Sequence, residues 1–220
     1  MRIILFFCSL ILALSLLAGL NQSFAQSAKN AGHDKEQAIS TRFIQEVRLG
    51  VLAHNTGFSI NSMSANQEDG VNVQGEIIFK RPKFLDKAYL WRPDPYIMAS
   101  VNTVGDTSYG GFGLKWDKMF GKRQAWFAEG GLGYVLHNGQ IDIPFPLGDP
   151  RNKSYDENNI LFGSRDLFRL TLAVGRKLSP NWSAHIAYEH LSHGYILGSK
   201  RNQGNNSLGL RLAYHFSAGH

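Results

Sequence analysis

NSLGLRLAYHF, residues 206–216, decides the fold. Successive side chains of an extended strand point to opposite faces, so Leu208, Leu210, Leu212, Tyr214 and Phe216 share one face. Ser207, Arg211 and His215 share the other. A helix would scatter both sets. The two runs before it read the same way. Over Leu167–Val174 the apolar face is Phe168, Leu170, Leu172 and Val174, opposite Arg169 and Thr171. Over Asn181–Ser192 it is Trp182, Ala184, Ile186 and Tyr188, opposite Ser183, His185 and Glu189. Runs at 43–54, 71–80, 96–104, 108–119 and 124–136 alternate similarly, which brings the strand count to eight.

The decisive question is which face is inside. The face opposite the oily one carries Glu46, Arg48, Glu76, Lys115, Glu129, Arg169, Glu189 and Arg211. A soluble lipocalin-like barrel would point its apolar residues inward, and a sandwich would expose Leu-rich faces or bury these ions. A closed barrel with its apolar face in lipid and its mixed charges inside meets both difficulties, and closure pairs every backbone group. The expected fold is all-β, an eight-stranded antiparallel transmembrane β-barrel over 41–216, filled by its own side chains. Trp116, Trp126, Trp182 and Phe216 fall at strand ends expected to share one interfacial rim.

The chain start fits export. Arg2 precedes the apolar run Ile3–Leu20, and Ser23 and Ala25 supply small residues before a cleavage point, so residues 1–25 read as a signal peptide. Residues 26–40 read as a flexible polar leader, and 217–220 as a C-terminal tail. The single cysteine, Cys8, lies in the signal segment, which leaves the mature chain without disulfides or thiolate metal sites. The formal charge of +6 becomes +5 on removing that segment, which holds one Arg and no acid. An exported barrel with that excess suits an anionic membrane surface. Both termini are then periplasmic, loops at 55–70, 137–163 and 193–205 face outside, and Lys177–Asn181 is a tight inner turn. The segment 81–95 is long for a periplasmic turn.

Several motifs have plain structural readings. Gly110-Gly111-Phe112-Gly113 and Gly130-Gly131-Leu132-Gly133 lack the strand–loop–helix setting of a phosphate loop. Gly111, Gly113, Gly131 and Gly133 instead fall on inward faces of adjacent strands, beside bulky neighbours. His185, His190 and His193 are the densest histidine cluster, but the first two point to opposite faces, so no metal site is expected. Lys80-Arg81-Pro82-Lys83 has no interleaved stacking aromatics and reads as a membrane-surface turn, with no nucleic-acid role. His190 and Ser192 are i and i+2 on one strand, on its lipid-facing side at the outer end. An imidazole beside a hydroxyl can take its proton during attack on an ester carbonyl. Aimed into the outer leaflet, such a pair meets membrane lipid. The plain alternative is that the strand has left the hydrocarbon there and both residues are wet.

The C-terminal third resembles the PagL family of outer-membrane lipid A 3-O-deacylases. Glu189-His190-Leu191-Ser192 closes the seventh strand, Asn202-Gln203-Gly204-Asn205-Asn206-Ser207 opens the eighth, and Ser207–Phe216 matches the last strand. The resemblance covers about residues 165–216. It implies Ser192 as nucleophile, His190 as general base, lipid A in the Gram-negative outer leaflet as substrate, release of a free fatty acid, and no cofactor. The family places a Glu directly before a Ser at the start of the last strand; this chain has Asn206 there, on the same outward face as Leu208. A neutral amide oxygen can still orient an imidazole, as in Cys–His–Asn proteases. At position 193, where the family usually has Asn, stands His193, a candidate for stabilising the oxyanion. Lys200 and Arg201, with Arg151 and Lys153, are candidates for the lipid's phosphates. Two other classes stay open from the residues: a structural or adhesive barrel using the 137–163 loop, and a barrel acyltransferase. The oligomeric state is open, a homodimer being admissible.

Overall fold

The computed structural model describes residues 43–56, 67–87, 91–198 and 201–216. The signal peptide, leader and C-terminal tail read from the sequence, Lys200, and part of the first long loop lie outside them. The eight strands are β1 (Ile44–Ala53), β2 (Val71–Phe79), β3 (Asp94–Asn102), β4 (Tyr109–Phe120), β5 (Trp126–His137), β6 (Asp166–Lys177), β7 (Trp182–Ser192) and β8 (Asn205–His215). Each pairs antiparallel with the next, and β8 pairs back onto β1 through Glu46 opposite His215 and Ala53 opposite Leu208. No sheet edge is left among them, the condition hydrocarbon imposes on strands.

Strand edges lie within three residues of expectation, with β3 starting two residues early. Proline explains that shift. Pro93 immediately precedes the strand and Pro95 is its second residue, positions at a strand's start where proline is tolerated. Their carbonyls stay useful: Arg81 Nε donates to the Pro93 oxygen at 3.1 Å. The 80–93 connection, long for an inner turn, folds in part as a 3-10 turn at Lys83–Leu85. The loop expected over 137–163 contains one helix, α1 (Arg151–Asn158), polar on all sides and with no buried residue.

Every charge assigned inward is inside. Glu46, Arg48, Glu76, Lys115, Glu129, Arg169, Glu189 and Arg211 are all buried, while Leu49, Val73, Phe112, Leu132, Leu172, Val174 and Ile186 face out. The ions neutralise one another. Arg48 grips Glu129 with both terminal nitrogens, at 2.7 and 2.6 Å, and reaches Glu76 at 3.3 Å and Glu46. Arg169 bonds Glu76 at 2.6 Å and Glu189 through its Nε. Lys115 lies 3.5 Å from Glu129 and 3.7 Å from Glu46. Desolvating so many ions is tolerated only because each has partners in place; breaking one such pair would leave a buried charge uncompensated.

An apolar cluster lies beside this network, towards the loop end. Ile160, Leu161 and Phe162, just after α1, are fully buried, and Ile160 and Phe162 join a cluster with Tyr109, Val135, Leu167 and Leu191. The long loop thus turns back and corks the barrel. Gly113 and Gly133 make space for one ring: a Cβ on either would collide with the Tyr96 hydroxyl. At the opposite end, Trp182 stacks edge-on with Tyr214 at 5.0 Å, Tyr214 with Phe216 at 5.1 Å, and Arg176 covers Trp126 at 5.5 Å. Trp116 sits four residues before the end of β4, two repeats of the pleat deeper than the others.

Candidate active site

On β7 the pleat sends Glu189 and Leu191 inward and Tyr188, His190 and Ser192 outward, the last two half-buried. The β7–β8 register sets His190 directly opposite Asn206. Adjacent strands hold such partners only ~5 Å apart, and His190 Nδ1 lies 2.8 Å from Asn206 Oδ1. With the amide oxygen towards the ring, Nδ1 is the donor, and in the neutral imidazole Nε2 then presents a lone pair. The same oxygen accepts from the Tyr188 hydroxyl at 2.5 Å. Behind the ring, Gly204 leaves no room for a side chain, since a Cβ there would sit 2.7 Å from His190 Cε1. The imidazole is therefore fixed on two sides.

Ser192 follows on the same face, roughly 6.6 Å further along the strand at two residues' rise. Nucleophile–base hydrogen bonds are commonly long before substrate arrives and tighten in the complex. Of the other candidates, His193 is fully buried, and its ring is spent on scaffolding. Its Nδ1 accepts from the Tyr195 N–H at 3.1 Å, and Nε2 bonds the Arg201 carbonyl. Its backbone N–H goes to Asn202 Oδ1 at 3.1 Å. Neither ring nitrogen is left to receive an oxyanion. The outer-loop cations, too, have local partners: Arg151 with Asp149 at 2.7 Å, Arg201 with Asp156 at 2.5 Å, and Lys153 with Glu157 at 3.9 Å. Loop carboxylates thus answer charges that the sequence offered to phosphates.

The sequence did not disclose what adjoins the pair. Register carries Ser192 across the outer wall to Phe168, then Tyr134, Phe112 and Ile97. A parallel row runs from Asn206 and His190 through Leu170, Leu132 and Leu114 to Pro95. Both rows descend, because Ser192 ends β7 at the loop end whereas Pro95 and Ile97 start β3 at the opposite end. Between them lies an apolar groove of about 660 Å³, lined by side chains of both rows and floored by Gly113 and Gly133. Phe168, the cross-strand neighbour of Ser192, forms its upper end.

A second serine–histidine set, also unread in the sequence, lies inside. Ser183 Oγ is 2.8 Å from His215 Nε2 and 3.0 Å from His185 Nε2, and His215 Nδ1 is 3.5 Å from Glu46. The residues come from three strands, so only their pairing reveals the set. Ser183 is fully buried and shared between two imidazoles, so no ester can reach it. The histidines weighed for a metal diverge: His185 is inward, His190 outward and His193 in the loop. Among the described residues no group of three His, Cys, Asp or Glu could hold a metal ion.

A family model described as lipid A 3-O-deacylase (PagL) matches residues 70–215, a span that includes His190, Ser192 and Asn206. Among solved structures, the outer-membrane enzyme PagL is similar at 13% identity and a TM-score of 0.48, covering 76% of this chain and 97% of that one. Neisserial surface protein A gives 10% and 0.44, covering 79% and 97%. The Yersinia pestis attachment protein Ail gives 11% and 0.35, also covering 79% and 97%. No curated protein sequence matches. Nothing in these likenesses supports the homodimer. With the family model spanning seven of the eight strands and the closed barrel around them, the chain belongs to the PagL family and is a β-barrel of the Gram-negative outer membrane.

Proposed function

We propose that this protein hydrolyses the ester that joins a hydroxyacyl chain to the 3-position of lipid A, with Ser192 and His190 as its catalytic residues. The observation that carries the reading is the lipid-facing imidazole, held by Asn206 with Nε2 as its free base, beside Ser192 at the top of a descending apolar groove. Ser192 Oγ attacks the ester carbonyl while its proton passes to His190 Nε2. The imidazolium so formed keeps its Nδ1–H bond to Asn206 Oδ1, a bond that strengthens as the ring becomes charged. Collapse of the tetrahedral species breaks the ester C–O bond, and Nε2 returns the proton to the departing sugar oxygen. Water, deprotonated by Nε2, then attacks the acyl-serine and releases the free hydroxy fatty acid and the serine. No cofactor enters either half.

The groove suits the acyl chain. It starts beside the nucleophile and falls towards the centre of the membrane, the direction an acyl chain takes from a headgroup in the outer leaflet. Arg201 is half-exposed and can exchange Asp156 for a phosphate, and Lys200 is its sequence neighbour. The test is mass analysis of lipid A from a Gram-negative host expressing wild type or Ser192→Ala. Loss of one hydroxyacyl chain with wild type alone supports the reading. A gain in mass identifies acyl transfer. Unchanged lipid A with both barrels folded overturns hydrolysis and favours the non-enzymatic barrel.

A further inference from the structure

An amide at position 206 poses a problem that a carboxylate does not. A carboxylate presents oxygen at both ends, whereas the Asn206 amide has an acceptor end and a donor end. With oxygen towards the ring, His190 holds its proton on Nδ1 and Nε2 can receive the serine proton. With the NH₂ towards the ring, Nδ1 must accept, the proton moves to Nε2, and the imidazole cannot act as the base. The His190 contact alone is compatible with either arrangement.

Tyr188 breaks this symmetry. Its hydroxyl meets the same Oδ1 atom that faces His190, at 2.5 Å against 2.8 Å for the ring nitrogen. A phenol always has a proton to donate, and Tyr188 stands half-buried on the lipid-facing side, where water is scarce. Turning the NH₂ towards it would let the phenol oxygen accept but leave the phenol's own proton without a partner, a costly loss on the lipid-facing side. The carbonyl oxygen, with two lone pairs, accommodates both donors at once. The plain alternative is a girdle tyrosine that anchors the wall at the interface. Such a residue would spend its hydroxyl on water or headgroups, and phenylalanine would serve nearly as well.

We propose that Tyr188 is a positioning residue whose hydroxyl holds the Asn206 amide oxygen-first towards His190 and thereby selects the Nδ1-protonated tautomer. The inference rests on the esterase reading for its purpose, though the tautomer can be observed without turnover. Tyr188→Phe is compared in two backgrounds, wild type and Asn206→Asp, on protein that shows the heat-modifiable gel mobility of a folded barrel. With asparagine at 206 the substitution lowers kcat for lipid A deacylation about tenfold at unchanged KM, the scale of one well-formed hydrogen bond. With aspartate, whose two oxygens need no sorting, it costs less than about twofold.

The second readout is ¹⁵N resonances of the histidine ring in detergent-solubilised, untagged protein, with His190 assigned by His190→Gln. Wild type shows Nδ1–H, and Tyr188→Phe moves His190 towards the Nε2–H form. An unmoved tautomer in Tyr188→Phe overturns the proposal, as does an equal loss of turnover in both backgrounds. If wild type deacylates nothing, the esterase reading fails by itself, and the ring resonances still decide the role of Tyr188. If Asn206→Asp does not fold, the resonances decide alone.

Discussion

Truncating Asn206 to alanine measures how far a neutral residue can stand in for a triad acid. The substitution removes one acceptor, the Oδ1 atom 2.8 Å from His190 Nδ1, and leaves Ser192 and the groove untouched. In the ground state this is a bond between neutral groups. In the transition state the ring is cationic, and hydrogen bonds to charged groups contribute about 1.5–3 kcal/mol. At about 1.36 kcal/mol per factor of ten, the lost bond lowers kcat roughly 10- to 150-fold. That is far short of the ~10⁴ lost with the carboxylate of a Ser–His–Asp triad. KM stays within about twofold, because Asn206 does not line the acyl groove.

The assay is release of hydroxy fatty acid from lipid A in mixed micelles, after gel mobility shows that the variant barrel is folded. Asn206→Glu runs beside it: a carboxylate facing Nδ1 raises the rate above wild type if the native site is a weakened triad. An alanine variant as fast as wild type would refute the idea that Asn206 governs the imidazole. A loss as complete as that of Ser192→Ala would show that its role is not one hydrogen bond.

Other predictions address the groove, the lumen and the loops. Leu132→Trp narrows the groove midway, so kcat/KM falls several-fold for long hydroxyacyl chains and little for short ones. The effect is modest because the chain exchanges lipid, not water, for the groove wall; equal loss at every chain length would put the chain elsewhere. Arg48→Met removes the cation shared by three buried carboxylates, Glu46, Glu76 and Glu129, leaves Lys115 and Arg169 to balance them, and destabilises the barrel by about 3 kcal/mol. Urea unfolding in detergent reads that loss, and an unmoved midpoint would mean the lumen charges are not tightly coupled. Glu68, outside the strands, is pushed up by burial but pulled down further by hydrogen bonds from His54 at 2.8 Å and Thr107 at 3.0 Å, and so ends below its ordinary 4.5. Its stabilisation is full above that value and fades as pH falls through the lowered one. The stability gap between wild type and Glu68→Gln should therefore close as pH falls below 4.5 and through the lowered value, as followed by hydrogen exchange of the outer-loop amides.

Much of this architecture could be read from period-two patterning alone. Arg169 and Leu170 are neighbours in sequence, and nothing but the pleat sends one into the ion network and the other into lipid. The outward placement of His190, Ser192 and Asn206 follows from the same parity. What parity cannot give is register. That His190 faces Asn206, that Ser183 meets His215, and that Phe168 continues the row from Ser192 depend on how strands slide past one another, which residue type does not encode. Tyr188 passed as one more aromatic of an oily stripe until its hydroxyl proved to share an acceptor with the imidazole. The loops were least legible. Pro93 and Pro95 hid the start of β3, and α1 has no apolar face to announce it. Arg201 looked available for phosphate because its acidic partner, Asp156, comes from a distant loop that only folding brings near, whereas Asp149 and Glu157 stand beside Arg151 and Lys153 in the sequence itself.

The cork of Ile160, Leu161 and Phe162, set above a lumen of mutually bonded ions, has a consequence for the cell that carries the protein. Such an interior offers no continuous water column, so the wall is electrically silent: reconstituted in a planar bilayer it should add no conductance. A bacterium could display many copies and keep its barrier to small hydrophilic antibiotics intact, a freedom that porin-type channels do not allow.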